Sequence, residues 1–378
     1  MAPVESDGIL PVPGTASWIH CSFGPIKMNP AISKTLHGAG RVALLPFWTA
    51  QLLTGAKSFR DNPIIGSPRL NRLGLHVERQ GLAHRLAARR RRRLARLVAA
   101  EQAAAFERDG FVLVHDFLPP DEFAALRQQA EAYRGPARET TQGDTITRRI
   151  ALDPAALARM PALRRLLWNP VWRGLVRFVG SHDAEPVCYL QSILSGAVEG
   201  EPDPQTKLHA DTFQPTVKAW LTLTDVAEDG GPFVYVPGSH RLTQARKNWE
   251  WRMSMAARDS VNRLSGRGSF RIEPEEVTKL GYAPPRAFGV PANTLIVADT
   301  SGFHARGPNA GPGLRVEVWA YGRRNPFISL PVDPWRIEAL GHRRAPTFWR
   351  VRDLLDRLGL KRQNWRRREN VSAFDPAT

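Results

Sequence analysis

Cysteine is almost missing from this chain: there are two in 378 residues, Cys21 and Cys188. That count leaves no disulfide framework and no thiolate zinc cluster, and it makes a reducing, intracellular setting the expectation. Long apolar runs are missing too. The richest stretch, Val42 to Ala56 ("VALLPFWTAQLLTGA"), contains Pro46, Thr49 and Gln51 and falls short of the roughly 20 residues a spanning helix needs. The opening "MAPVESDGILPVPG" lacks the basic start and apolar core of a secretory signal. No transmembrane segment is expected, and the cytoplasm is the expected location.

Acidic residues are the third scarcity. Asp and Glu number 36 against 53 Lys and Arg, a formal net charge of +17. The excess concentrates in "HRLAARRRRRLAR" (His84 to Arg96) and "KRQNWRRR" (Lys361 to Arg368). A solvated helical face is the plain reading of such runs. The partners also open to them are an anionic membrane surface, an anionic substrate and nucleic acid. Nucleic acid is the weakest of these, because no zinc finger, RNP aromatics or basic-zipper heptads accompany the charge.

What is present is material for a core. The chain is 42% hydrophobic, enough for one large domain with extensions. Residues 1–97 are basic and broken by Pro and Gly, an N-terminal extension whose helices either pack on the core or lie on a membrane. From Glu101 the segment "EQAAAFERDGFVLVHDFLPPDEFAALRQQAEAY" predicts helix, short strand, turn and helix. Beyond Pro186 the runs "VCYLQSILS", "AWLTLTDV", "PFVYVPG", "TLIVAD" and "LRVEVWAYG" predict the strands of a sandwich or barrel. The expected class is therefore mainly β with flanking helices (α+β), with a catalytic domain over 98–328. A long insertion at 241–286, carrying Trp249, Trp251 and Met253, suggests a substrate lid. Residues 329–378 read as a basic, helical C-terminal tail.

Within the strand-rich half, "KLHADTF" places His209 and Asp211 two positions apart. On an extended segment such residues point to one face, so one short stretch can offer two ligands to a single ion. A third ligand has to come from elsewhere, and "VADTSGFHARGP" supplies His304 just past a predicted strand. Two imidazoles and one carboxylate on one face of an octahedral ion leave three positions open, the arrangement of non-heme Fe(II) oxygenases. The next strand carries Arg315. Alternation there leaves two readings: a cation aimed at the metal site, or an outward surface pair with Glu317, with Val316 and Val318 facing the core.

The ordered set "HADTF", "AWLTLTDVAEDGGPFVYVPGSHR" and "FHARGPNAGPGLRVEV", after "FERDGFVLVHDFLPPDEFAALR", resembles the phytanoyl-CoA dioxygenase family of Fe(II)/2-oxoglutarate-dependent oxygenases, over roughly Glu101 to Phe327. The resemblance implies a double-stranded β-helix (jelly-roll, cupin-like) core. It implies His209, Asp211 and His304 as the iron ligands, Arg315 as partner of the 2-oxoglutarate C5 carboxylate, and Trp220 and Gln191 at the cosubstrate or substrate pocket. Fe(II), 2-oxoglutarate and O₂ are the implied cofactor and cosubstrates. The implied activity is hydroxylation of an aliphatic carbon in a small-molecule, lipid or acyl-type substrate, with release of succinate and CO₂. Halogenating relatives lack the carboxylate that Asp211 provides, which favours hydroxylation. His240, in the "PGSH" turn, reads as a turn residue and not a fourth ligand. Arg306 departs from the family pattern, in which a small hydroxyl side chain helps hold the cosubstrate. Two other classes stay open: a non-catalytic membrane-surface or carrier-binding protein on this scaffold, and an oxygenase acting on nucleic acid.

Overall fold

The computed structural model describes residues 44–328 and 333–377; Cys21 and the start of the Val42 stretch lie outside them. Among these residues the strands are β1 (Phe111–Val114), β2 (Gly135–Gln142), β3 (Thr145–Ala151), β4 (Val187–Ser195), β5 (Val217–Thr222), β6 (Phe233–Tyr235), β7 (Arg286–Phe288), β8 (Leu295–Asp299), β9 (His304–Arg306), β10 (Gly313–Gly322) and β11 (Arg366–Val371). They form two antiparallel sheets. The larger runs β1-β8-β5-β10-β4-β3-β2-β11, and the smaller runs β7-β6-β9. This is the expected mixed class with an open two-sheet β core, not a closed barrel.

The centre of the larger sheet is buried on both sides, which decides the orientation of β10. Val316, Val318 and Ala320 join Leu190, Ala219, Leu221 and Val297 in a core against the helices Pro161–Trp168 and Pro170–Gly180. The alternate face carries Tyr189, Trp220, Trp319 and Tyr321, which pack towards Phe233 and Tyr235 of the smaller sheet. Arg315 and Glu317 belong to that second face, so the outward surface pair is not what forms. The smaller sheet covers the side that alternation alone would leave to solvent.

The N-terminal extension contributes the helix Leu75–Leu94. Its buried stripe runs through His76, Arg79, Ala83, Ala87, Arg91 and Leu94, the three-to-four spacing of a packed helix face. The arginine run is consequently split. Arg90 donates to the Ser181 and Pro326 carbonyls, and Arg91 to those of Phe178 and Val179 and to Asp299. Arg89, Arg92 and Arg93 are exposed.

The insertion at 241–286 runs beside the ligand segment, where the backbone of Arg271 bridges to His209. Trp249 is core, packed with Phe59, Ile65, Phe270 and Phe303, and none of the insertion's residues lines the metal cavity described below. Glu250, on the same helix (Gln244–Ala256), accepts from Arg246 and lies 2.9 Å from His76 Nε2. The C-terminal tail is helical at Arg344–Arg357, but β11 then adds a strand beside β2. Its sequence, "RRRENV", has no apolar alternation to announce it. Its backbone pairs with β2 and its charges pair with neighbours, as Arg368 does with Glu139.

A candidate metal centre

His209 lies between β4 and β5, in a bridge that pairs its backbone with His304, the first residue of β9. The two backbones exchange hydrogen bonds, His209 N to His304 O and His304 N to His209 O, both 2.9 Å. This closes the 95-residue separation that the sequence leaves open (304 − 209). The imidazole centroids are 4.5 Å apart. Each Nδ1 faces a carbonyl: His209 that of Lys207 at 2.8 Å, and His304 that of Gly302 at 3.0 Å. Each ring is thereby fixed with Nδ1 protonated and the Nε2 lone pair turned inward, the tautomer a metal ligand requires.

Asp211 completes the set. Its Oδ1 is 3.7 Å from His209 Nε2 and its Oδ2 is 3.7 Å from His304 Nε2. One ligand atom from each residue lies within 4.8 Å of the others. His304 Nε2 is buried with no hydrogen-bond partner, a costly state for a polar atom unless a ligand takes it up. Three converging N/O donors with an open side fit a resident divalent iron.

The turn carrying His304 is held from several directions. Asp299 Oδ1 accepts from the Thr216 and Ser301 amides and the Ser301 hydroxyl, and Tyr235 Oη donates to the Asp299 carbonyl. A Cβ on Gly302 would fall 2.0 Å from that Tyr235 hydroxyl, so only glycine fits there. The "PANTLIVAD" turn works through Asn293. It sits in the left-handed region (φ 63) and its amide clips the backbone of Leu118 in both directions.

The electrostatics keep the ligands ready for a metal. Burial pushes His304 down to about 4, and burial with the neighbouring His304 holds His209 well below the usual imidazole range. Burial would raise the Asp211 carboxyl, but Lys218 with the two histidines holds it well below the usual carboxylate range. Lys218 Nζ is 2.6 Å from Asp211 Oδ2.

The cavity in front of the triad is lined by Arg315, Trp220 and Gln191, so the structure gathers every expected site residue. Arg315 Nε is 3.0 Å from Glu317 Oε2. The Gln191 amide is engaged at both ends, accepting from Arg149 Nε at 2.7 Å and donating to Glu317 at 2.6 Å. Trp220 lies against Phe233 with ring centroids 4.4 Å apart. Arg306 pairs with Asp203. His240 is buried against Phe106, away from the cavity lining, as a turn residue.

Residues outside the expected set line this cavity as well, five of them bearing on its chemistry. Lys218 is two before Trp220 on β5, so strand alternation alone puts it on the same face. Arg149 lies in a strand not anticipated, stacked on Trp319 (4.0 Å to the ring centroid) and Trp365 (4.7 Å). Arg323, just past β10, and Trp365 reach the cavity from beyond the anticipated strands. Lys57 reaches it from the N-terminal extension and donates to the Asp211 carbonyl. Burial and the nearby Arg323 push Lys57 down to about 7. Nothing local in the sequence marks it.

The family model for phytanoyl-CoA dioxygenase (PhyH) matches residues 106–316. No curated protein matches in sequence. Similar solved structures include the non-heme alpha ketoglutarate dependent epimerase SnoN from nogalamycin biosynthesis, 24% identical, TM-score 0.39, covering 60% of this chain and 82% of that one. Others are the carbocyclase SnoK from the same biosynthesis (19%, TM-score 0.39, 60% and 84%) and HygX from Streptomyces hygroscopicus with nickel and 2-oxoglutarate bound (17%, TM-score 0.37, 60% and 87%). The family match takes in more than half of the 378 residues, and the chain belongs to the phytanoyl-CoA dioxygenase family, enzymes dependent on Fe(II) and 2-oxoglutarate.

Proposed function

We propose that this enzyme hydroxylates an aliphatic carbon of a small-molecule, lipid or acyl-bearing substrate, releasing succinate and CO₂. The observation that carries the reading is the retained carboxylate of Asp211 between the two imidazoles, the group that halogenating relatives lack. Bound iron supplies O₂ activation coupled to decarboxylation of 2-oxoglutarate. The chain's own part is to hold and orient. His209, Asp211 and His304 would hold the ion, and Arg315 would take the far carboxylate of 2-oxoglutarate. Trp220 and Gln191 would border the cosubstrate, and Trp220, Phe233, Trp319 and Tyr321 give the cavity an apolar wall that helps exclude water. The test is anaerobic reconstitution with Fe(II) and 2-oxoglutarate, then O₂ and a screen of metabolite and lipid extracts for succinate. A product heavier by one oxygen atom supports hydroxylation. One lighter by two hydrogens overturns it in favour of desaturation or ring closure.

A second reading concerns location. We propose peripheral contact with an anionic membrane through the short helix Leu45–Ala50, because Leu44, Leu45, Phe47 and Leu53 are exposed. Among the described residues no helix is long and apolar enough to cross a membrane. Exposed Arg89, Arg92 and Arg93 would add attraction to headgroups. Co-sedimentation with phosphatidylserine vesicles at low salt decides it. Full-length protein should bind and the Leu45→Ser/Phe47→Ser variant should not; equal behaviour of the two overturns the contact.

A further inference from the structure

The metal cavity holds more positive charge than its metal and cosubstrate can use. Its lining includes Lys57, Arg149, Lys218, Arg306, Arg315 and Arg323. Three of these have carboxylate partners within ion-pair distance: Lys218 with Asp211, Arg306 with Asp203 and Arg315 with Glu317. Among the described residues Lys57, Arg149 and Arg323 have none. Iron as a dication and 2-oxoglutarate as a dianion cancel, so the loaded cavity still carries Arg149, Arg323 and whatever charge Lys57 retains. A cluster of uncompensated charge in a partly buried cavity is expensive unless an anion joins it.

Two of the three are brought together by a built device. Lys57 donates to the Asp211 carbonyl, and Arg323 donates to the Gly55 carbonyl, two residues before Lys57. The segment between Leu52 and Ala56 is clamped from beneath by one side chain. Arg79 Nε donates to Leu52 O at 3.1 Å, and its Nη2 donates to Thr54 O at 3.1 Å and Ala56 O at 3.0 Å. The guanidinium also lies over the Phe213 ring, 4.7 Å from its centroid. A buried arginine holding three carbonyls fixes the loop that delivers Lys57. Lys57 uses one donor on the Asp211 carbonyl, and Arg323 is engaged by the Gly55 carbonyl and the Tyr321 hydroxyl, which leaves further N–H groups on both for a ligand. Both lie outside the matched segment 106–316.

We propose that Lys57 and Arg323 form an anion site beside the metal centre that binds the acid group of the substrate, a carboxylate or a phosphate, while the aromatic wall takes its apolar body. The substrate is thus an acid-bearing molecule. Arg79 is a positioning residue for that site. This rests on the oxygenase reading above and narrows its substrate class.

The test uses the full chain loaded anaerobically with Fe(II) and 2-oxoglutarate, titrated with hexanoate, hexyl phosphate, hexanol and hexylamine. The readouts are the visible charge-transfer band of the iron–cosubstrate complex and calorimetric heat. Hexanoate or hexyl phosphate should bind roughly tenfold or more tighter than hexanol, the worth of a charge-assisted hydrogen bond, and the tighter of the two identifies the acid group. Lys57→Met and Arg79→Leu should each remove that advantage, Lys57→Arg should restore most of it, and the 2-oxoglutarate affinity of all three should stay unchanged. Equal binding of hexanol and the anions overturns the site, as does an unaltered advantage in Lys57→Met. A loss of 2-oxoglutarate affinity in Lys57→Met also overturns it, by assigning the lysine to the cosubstrate. If wild-type protein forms no iron–cosubstrate band at all, the oxygenase reading itself falls; if the band forms and the anions show no preference, only the anion site does.

Discussion

Arg91, in the N-terminal helix, places its Nη2 2.8 Å from Asp299 Oδ2, at the end of the strand that leads to His304. Asp299 is fully buried and Arg91 nearly so. The pair therefore ties the extension directly to the turn that positions a metal ligand. Arg91→Met should leave that carboxylate uncompensated and lower unfolding stability by about 3–5 kcal/mol. Denaturant unfolding checks this, and the Arg91→Met/Asp299→Asn double variant should recover part of the loss. A drop no larger than that of an exposed arginine such as Arg92 would show that the pair is not holding the turn.

Alanine at His209, Asp211 or His304 should abolish tight Fe(II) binding and 2-oxoglutarate-dependent succinate formation while far-ultraviolet circular dichroism stays close to wild type. The geometry predicts this because each residue supplies one of three atoms within 4.8 Å. Two variants that still bound iron as wild type does would dismantle the triad.

Arg315→Leu should weaken 2-oxoglutarate by on the order of 2–5 kcal/mol, the cost of truncating one partner of a buried charge pair, with iron affinity retained. Titration of the metal-loaded variant reads both. Undiminished cosubstrate affinity would leave Arg315 as a partner of Glu317 alone.

The acid limb of the stability profile should depend on Glu250. Burial would raise its carboxyl, but Arg246 and His76 hold it down to about 2 against an ordinary 4.5. A depressed carboxyl contributes stability that is complete above its unfolded value and lost as pH falls through the folded one. The window is therefore pH 4.5 to 2, and 2.5 units correspond to about 3 kcal/mol. Urea midpoints of Glu250→Gln should trail wild type at neutral pH and converge with it near the bottom of that window. A gap that stayed constant with pH would refute the linkage.

Legibility in the sequence followed side-chain pattern. β4 is apolar enough for its limits to match the quoted run "VCYLQSILS", and β8 and β10 each differ from theirs by one residue. β3 is buried throughout yet reads "TITRRIA". Its Arg148 is hidden by Glu139 and by the carbonyls of Ser372, Asp375 and Pro376, and its Arg149 by stacking on tryptophans. Apart from Glu139 on the neighbouring strand, those partners lie far away in the chain, so no local pattern could announce a strand. The site divides the same way. His209, Asp211 and His304 follow from spacing and family resemblance, whereas Lys57 depends on a loop clamp that only the folded chain assembles.

β11 has a consequence for the order of assembly. Arg366 faces Glu139 across the sheet, 227 residues away (366 − 139), and Trp365 just before it forms part of the cavity wall. A chain leaving the ribosome can pair its central strands early, but the loop that brings β11 to β2 cannot close until Arg366–Val371 emerge. During synthesis the iron ligands are thus complete before their enclosure is. The nascent protein passes through a stage in which it could capture metal in a cavity still open along one edge.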